Sequence, residues 1–194
     1  MDFDFTQQII LEDERVQLAP MKREDVEELK NVALQDPSIF RYSLSQITDA
    51  MSVQHYVENA LAERESKFRY PFVLFDKQQN KIAGSTSMAA ISNKDKRLEI
   101  GWTWLGPSFQ RSGLNRHCKY LLLQYAFEQL EFERVELKTD ERNMQSRTAI
   151  ANIGGQQEGI FRSHSLMPDG HRRNTVYFSI LKNEWPLVKQ KLIR

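Results

Sequence analysis

The stretch Glu99–Leu130, reading EIGWTWLGPSFQRSGLNRHCKYLLLQYAFEQL, limits what this chain can become more than any other. Arg97–Leu105 reads as a strand and Gly106-Pro107 breaks it. Ser112–Leu130 then sets Leu114, Cys118, Leu121, Leu122, Tyr125 and Ala126 at helical spacing on one face. A strand that empties through a short polar loop into a long helix leaves the first helical N–H groups without partners, and the peptide dipoles add partial positive charge there. Such a terminus takes an anion. Gly113 has no Cβ to hold a ligand off the backbone, and Arg111 and Arg116 bring full positive charges. The predicted guest is a phosphate or pyrophosphate. The loop fits neither the glycine fingerprint of dinucleotide folds nor that of P-loops, and its spacing alone also suits an ordinary strand–loop–helix connection.

Around this stretch the chain alternates strands and helices. Residues 1–14 are polar and mixed, an arm that is either weakly ordered or a short added strand; residues 15–194 form the domain proper. Arg15–Ala19 is a first strand. Lys22–Leu34 and Ser52–Lys67 are amphipathic helices, separated by Ser38–Ala50, which has no clean period. Tyr70–Asp76, Lys81–Ile91 and Arg97–Leu105 are joined by short turns and form an antiparallel meander. Arg134–Thr139 follows the long helix, so the crossover makes it parallel to Arg97–Leu105. A short helix at Ser146–Asn152, strands at Ile160–Arg162 and Thr175–Leu181, and a terminal helix opening at Glu184-Trp185-Pro186 complete the order. The fold class is α/β, a single domain with a mixed central sheet flanked by helices.

Composition excludes several classes. The 194 residues are 40% hydrophobic and 27% charged, which is globular rather than disordered. A net charge of +1 gives no overall drive toward nucleic acid, so any basic site is local. Cys118 is the single cysteine, which rules out an intramolecular disulfide and suits a reducing compartment. The acidic start lacks a signal-peptide pattern, and no apolar run of about 18 residues is present, so a cytoplasmic protein is expected, with no membrane contact and no direct nucleic-acid partner. His55, His117, His164 and His171 show no metal-ligand spacing, so no metal is expected. Cys118 lies on the apolar stripe and reads as a buried small hydrophobe.

Four pieces in register carry a family resemblance. They are the opening strand with Asp25; Glu99-Ile100-Gly101-Trp102 with Leu105-x-Pro107; Gln110-x-x-Gly113-x-Asn115; and Thr139-Asp140-x-x-Asn143-x-x-Ser146 followed by Gly154-Gly155-x-x-Glu158-Gly159. From about Val16 to Leu181 the chain resembles the GCN5-related N-acetyltransferases (GNAT), specifically the RimJ/RimL-like branch that acetylates ribosomal-protein N-termini. The resemblance implies the acyl-CoA N-acyltransferase fold and acetyl transfer from acetyl-CoA to a primary amine, a protein N-terminus or a small molecule. It implies that Gln110, Arg111, Ser112, Gly113, Leu114 and Asn115 cradle the CoA pyrophosphate. The strand ending at Leu105 would splay from its parallel neighbour, so that Thr103, Trp104 and Leu105 meet the pantetheine arm, with Asn143 and Ser146 beside it.

The resemblance also places Glu99 near the amine as a general base, its carboxyl raised by burial beside Trp102 and Trp104. The other reading is that Glu99 merely pairs with a neighbouring Lys or Arg. Two departures stand out. Asn115 replaces the commoner Gly or Ala, and Ile150 occupies the position where many relatives carry a tyrosine acid for the CoA thiolate. Either Ser146 supplies that proton or the thiolate leaves unaided. Ile150 also keeps open a non-catalytic acyl-CoA-binding or ribosome-associated module on the same fold, and pocket volume would decide whether longer acyl chains are carried. The resemblance implies that acceptor choice falls to Ser38–Ala50, Ile91–Lys96 and Phe161–Arg173. A homodimer fits the resemblance, though no exposed apolar stripe demands one.

Overall fold

The computed structural model describes residues 1–193. Its frame is an eight-stranded sheet in the order β1-β2-β3-β4-β5-β6-β8-β7. The strands are β1 (Leu11–Glu12), β2 (Val16–Pro20), β3 (Arg69–Asp76), β4 (Lys81–Ser92), β5 (Arg97–Leu105), β6 (Arg134–Asp140), β7 (Gln156–Leu166) and β8 (Arg172–Leu181). Every neighbouring pair is antiparallel except β5 and β6. That single parallel pair follows from the crossover through α3 (Leu114–Gln124). The other helices are α1 (Val26–Ala33), α2 (Ala50–Glu65), α4 (Met144–Asn152) and α5 (Trp185–Ile193).

Local chemistry explains the boundaries. Asp49 accepts from the Ser52 N–H at 2.8 Å while the Asp49 N–H donates to Ser52 Oγ at 3.0 Å. This reciprocal cap starts α2 at Ala50, ahead of the expected Ser52. The helix buries Val53, Tyr56, Val57 and Ala60. The long helix begins at Leu114 rather than Ser112, and its last turn, Tyr125–Gln129, widens to a π-helix closed by a bond from Leu130 N–H to the Tyr125 carbonyl. The segment before α2 contains a 3-10 turn, Pro37–Phe40, capped by Asp36, and it seats Phe40 at 2% exposure.

The N-terminal residues belong to the core. Phe3 is 4% exposed and packs edge-on against Tyr70 at 5.5 Å. Its N–H donates to Asn93 Oδ1 at 2.8 Å, and Asn93 Nδ2 donates back to its carbonyl at 3.0 Å. β1 adds to the edge of β2, so the added-strand reading of the arm is the one observed. β7 is far longer than the three residues expected. It is the outermost strand and exposed along almost its whole length, so no apolar alternation marks it in the sequence.

Helices α1 and α2 contact each other and lie over β4 and β3, whereas α3 packs with α5 and reaches β1 and β2. The two faces of the sheet therefore carry different helix pairs.

Candidate functional site

β5 and β6 are paired only at Arg97–Glu99 with Arg134–Glu136. From Ile100 onward β5 has no partner on β6, while β6 continues to Asp140 against β8. A wedge therefore opens between two adjacent strands, and Glu99 stands at its apex.

β5 is also bulged. Ser87 faces Gly101, but Ser85 faces Trp104, one residue further along than regular pairing allows. Trp102 takes the extra place with φ +50°. The bulge lets Thr103 turn toward α3 while Trp104 packs on Phe40 (5.2 Å) and Tyr56 (6.3 Å) on the α2 side. Gly84 is required where β4 crosses the bulge, since a Cβ there would sit 2.1 Å from the Trp104 carbonyl oxygen.

Thr103 Oγ1 accepts from Lys119 Nζ at 2.6 Å and lies 2.7 Å from Thr86 Oγ1. Lys119 is 6% exposed and has no salt-bridge partner among the described residues. Burial pulls its pKa below the ordinary lysine range, and the neighbouring Cys118 offsets this only in part. Sequence reasoning passed over Lys119. The available signal was a lysine set inside Leu114–Leu123, a run whose apolar members pack inward.

The loop beyond β5 is tightly tied. Phe109 anchors it at 2% exposure. Gln110 Nε2 donates to the Leu105 carbonyl at 3.1 Å, so that carbonyl is already engaged. Ser112 Oγ donates to the Phe109 carbonyl at 2.6 Å. Arg111 (φ +57°) and Gly113 (φ +85°) adopt left-handed conformations. Arg111, Ser112 and Gly113 are exposed, and a Cβ built on Gly113 would meet nothing within 4 Å among the described residues. Leu114 is fully buried and pegs the helix start. The Oδ1 of Asn115 is buried without a partner among the described residues.

Arg116, expected near an anion, points elsewhere, and so does the histidine beside it. Arg116 donates to the carbonyls of Leu192 (2.9 Å) and Lys191 (2.6 Å) at the end of α5, so its charge serves a helix C-terminus instead of the loop. His117 Nδ1 lies 2.7 Å from Asp13 Oδ2 and 3.9 Å from Glu14 Oε1. The fold thus groups His117 with two carboxylates that sequence spacing could not connect.

Asn143 Oδ1 accepts from the Ser146 N–H at 3.0 Å and caps α4. Ser146 is half-buried in the first turn. Ile150 is 7% exposed and packs against Gly155, where a Cβ would approach its Cγ2 to 2.6 Å.

At the apex, Glu99 Oε2 accepts from Lys138 Nζ at 2.7 Å. Its carboxylate lies over Gly101, where a Cβ would come within 3.3 Å of Oε1. Its immediate partner is thus Lys138, while Trp102 packs on Phe68 and Arg69 instead. Burial works against the Lys138 charge, but the hydrogen bond and charge of Glu99 outweigh it and raise the lysine pKa. Lys138 sits 4.9 Å from the Tyr177 ring, which stacks on Phe161 at 4.3 Å. Glu99 therefore opens onto an aromatic and cationic surface.

Comparison with known proteins shows the family and the fold. The family model described as an acetyltransferase (GNAT) domain matches residues 15–156. The chain is 33% identical to YdaF of Bacillus subtilis (strain 168), provisionally named a ribosomal N-acetyltransferase, over 54% of this chain and 56% of that protein. The match thus spans just over half of that relative's length. A crystal structure of a GCN5-related N-acetyltransferase from Brucella melitensis superposes with a TM-score of 0.90 at 27% identity, covering 98% of this chain and 86% of that one. RimJ of Mycobacterium smegmatis, solved in complex with CoA-disulfide, shares the fold at a TM-score of 0.78 and 20% identity, over 92% of this chain and 88% of that one.

Proposed function

The chain belongs to the acetyltransferase (GNAT) family, and on that premise we propose that it transfers the acetyl group of acetyl-CoA to a primary amine, a peptide N-terminus or a small molecule, by direct attack in a ternary complex. The observation that carries this reading is the wedge between β5 and β6, with Glu99 at its apex and the exposed Arg111–Gly113 loop beyond the end of β5.

The N–H groups of the loop and of the α3 N-terminus would hold the pyrophosphate. The unpaired edge of β5 near Thr103 would accept the pantetheine amides as a sheet accepts a strand. Asn143 and Ser146 would flank the same arm. The amine nitrogen attacks the thioester carbonyl carbon, the N–C bond forms, and the C–S bond breaks with its electron pair leaving on sulfur. Glu99 takes the amine proton, directly or through water. Alignment of the two reactants supplies much of the rate. A thiol with a pKa of about 8.5 is a fair leaving group, so the absence of a tyrosine at Ile150 is compatible with turnover.

Direct attack is favoured over an acetyl-enzyme because the single cysteine offers no nucleophile. Cys118 is fully buried and its pKa is pushed up to about 11 by that burial. Isothermal titration with acetyl-CoA, with ATP as control, tests the cofactor site. Selective binding of acetyl-CoA is expected; equal or absent binding of both would remove the assignment.

A further inference from the structure

A cleft of ≈ 610 Å³ opens on the α2 side of the sheet, away from the α3 loop, lined by Ser45, Gln46, Tyr56, Glu63, Arg69 and Trp102 among others. Arg69 is the unusual member. It is 2% exposed, with its guanidinium carbon 5.6 Å from the Tyr56 ring centroid and 5.0 Å from that of Trp102. Glu63 Oε2 lies 2.6 Å from Arg69 Nε but out of line with the N–H, so this contact supplies charge without a hydrogen bond. Arg69 Nη1 has no hydrogen-bond partner among the described residues. A buried guanidinium with unmet donors is costly, and its planar fork matches a carboxylate.

The register ties this fork to the reaction centre. Arg69 is paired with Ala89 on β4, and Ala89 with Glu99 on β5. Directly paired residues share a face, so Arg69 and Glu99 project to the same side, two strand spacings or about 10 Å apart along the sheet. That span is too long for the amine and carboxylate of one α-amino acid. It suits a molecule in which several bonds separate them.

Building on the amine-acceptor reading above, we propose that this cleft is the anionic subsite of the acceptor, and that Arg69 binds a carboxylate remote from the amine that Glu99 deprotonates. The aromatic rings hold the guanidinium in place, and Glu63 tempers its charge so that the site releases product. Two sources share the chemistry: an ω-amino carboxylate, or a peptide whose second residue is acidic.

The test compares matched acceptors with the full chain and acetyl-CoA. One arm uses 6-aminohexanoate against its amide; the other uses Ser-Glu and Ser-Gln peptides with blocked C-termini. The carboxylate member of at least one pair is expected to be preferred by about tenfold in kcat/KM, as the loss of a charged hydrogen bond implies. The pair that discriminates identifies the source. Arg69→Met should abolish the preference and Arg69→Lys keep part of it. Glu63→Gln, which leaves Arg69 and the packing around it in place, should enlarge it. Equal kcat/KM within both pairs for the natural chain would overturn the proposal, as would an unchanged preference in Glu63→Gln. Titration with N-acetyl-6-aminohexanoate and its amide reads the subsite without turnover. Tighter binding of the carboxylate supports the inference even if no amine is acetylated, an outcome that would remove only the catalytic reading; equal binding removes the subsite.

Discussion

Glu99 and Lys138 lie side by side on the two parallel strands, with Oε2 and Nζ 2.7 Å apart at the point where the strands separate. In the proposed reaction the pair would act as a base with its own counter-charge. Glu99→Gln should lower kcat by about a hundredfold or more, the range of a lost general base, while the acetyl-CoA affinity stays constant. Lys138→Met removes the cation that pairs with Glu99. Because the lysine pKa is raised in the folded chain, its contribution to stability is fully present below about pH 10 and lost as pH rises through the folded value. Denaturation of both forms at pH 7 and at alkaline pH checks the sign; a constant gap would show that Glu99 and Lys138 are uncoupled.

Gly113→Ala separates the loop's backbone from its contacts. None of the described residues lies within 4 Å of the new Cβ, so the folding cost is the strain of φ +85°, about 1 kcal/mol. The same methyl points into the open space where a phosphate would approach. Acetyl-CoA affinity should fall by more than that strain explains, tenfold or beyond, in a calorimetric titration. An unchanged Kd would take the phosphate away from this loop.

Lys119→Met should leave the chain folded and equally or more stable at pH 7, because it replaces a buried lysine that has no carboxylate partner with an apolar side chain of similar length. The lysine pKa is lowered in the folded chain, so the unfolded chain binds more protons and the natural protein gains stability as pH rises toward about 10.4. The advantage of the variant should therefore shrink between pH 7 and 10. Urea titrations across that range measure it, and an advantage that grows with pH would contradict the buried-charge account.

The elements that position this site were legible where a strand or helix has one wet face. Arg97–Leu105 was found to the residue, and Arg134–Thr139 to within one, because alternation marks them. β7 was not, because an exposed edge strand needs no apolar face. The bulge at Trp102 was invisible for another reason: it is a property of how β5 registers on β4, set in part by Gly84, and not of β5 alone. Long-range pairings such as Asp13 with His117, or Arg69 in line with Glu99, join residues too distant in sequence for any spacing rule. Arg116 misled for a similar reason, since its acceptors on α5 lie far along the chain.

Asp76→Asn tests the scaffold away from the site. Asp76 is fully buried, pairs with Arg15 and accepts from the N–H groups of Gln78 (2.9 Å) and Gln79 (3.1 Å). Burial alone would raise its pKa, but the Arg15 hydrogen bond and these N–H groups hold it below the usual range. Leaving Arg15 without its carboxylate should cost about 3 kcal/mol. In the natural chain the contribution is present above about pH 4 and lost as pH falls through the folded value. Acid unfolding of the two forms should therefore converge below that point; if the gap persists, the loss comes from packing.

The most direct measurement is a turnover assay with acetyl-CoA and a panel of primary amines and peptide N-termini, following free CoA and the acetylated amine by mass spectrometry. The account predicts both products in equal amounts, strong loss in Glu99→Gln, and no acetyl group on the protein when the amine is left out. Binding of acetyl-CoA without acetylation of any amine, or an acetylated protein that forms without acceptor, would contradict it.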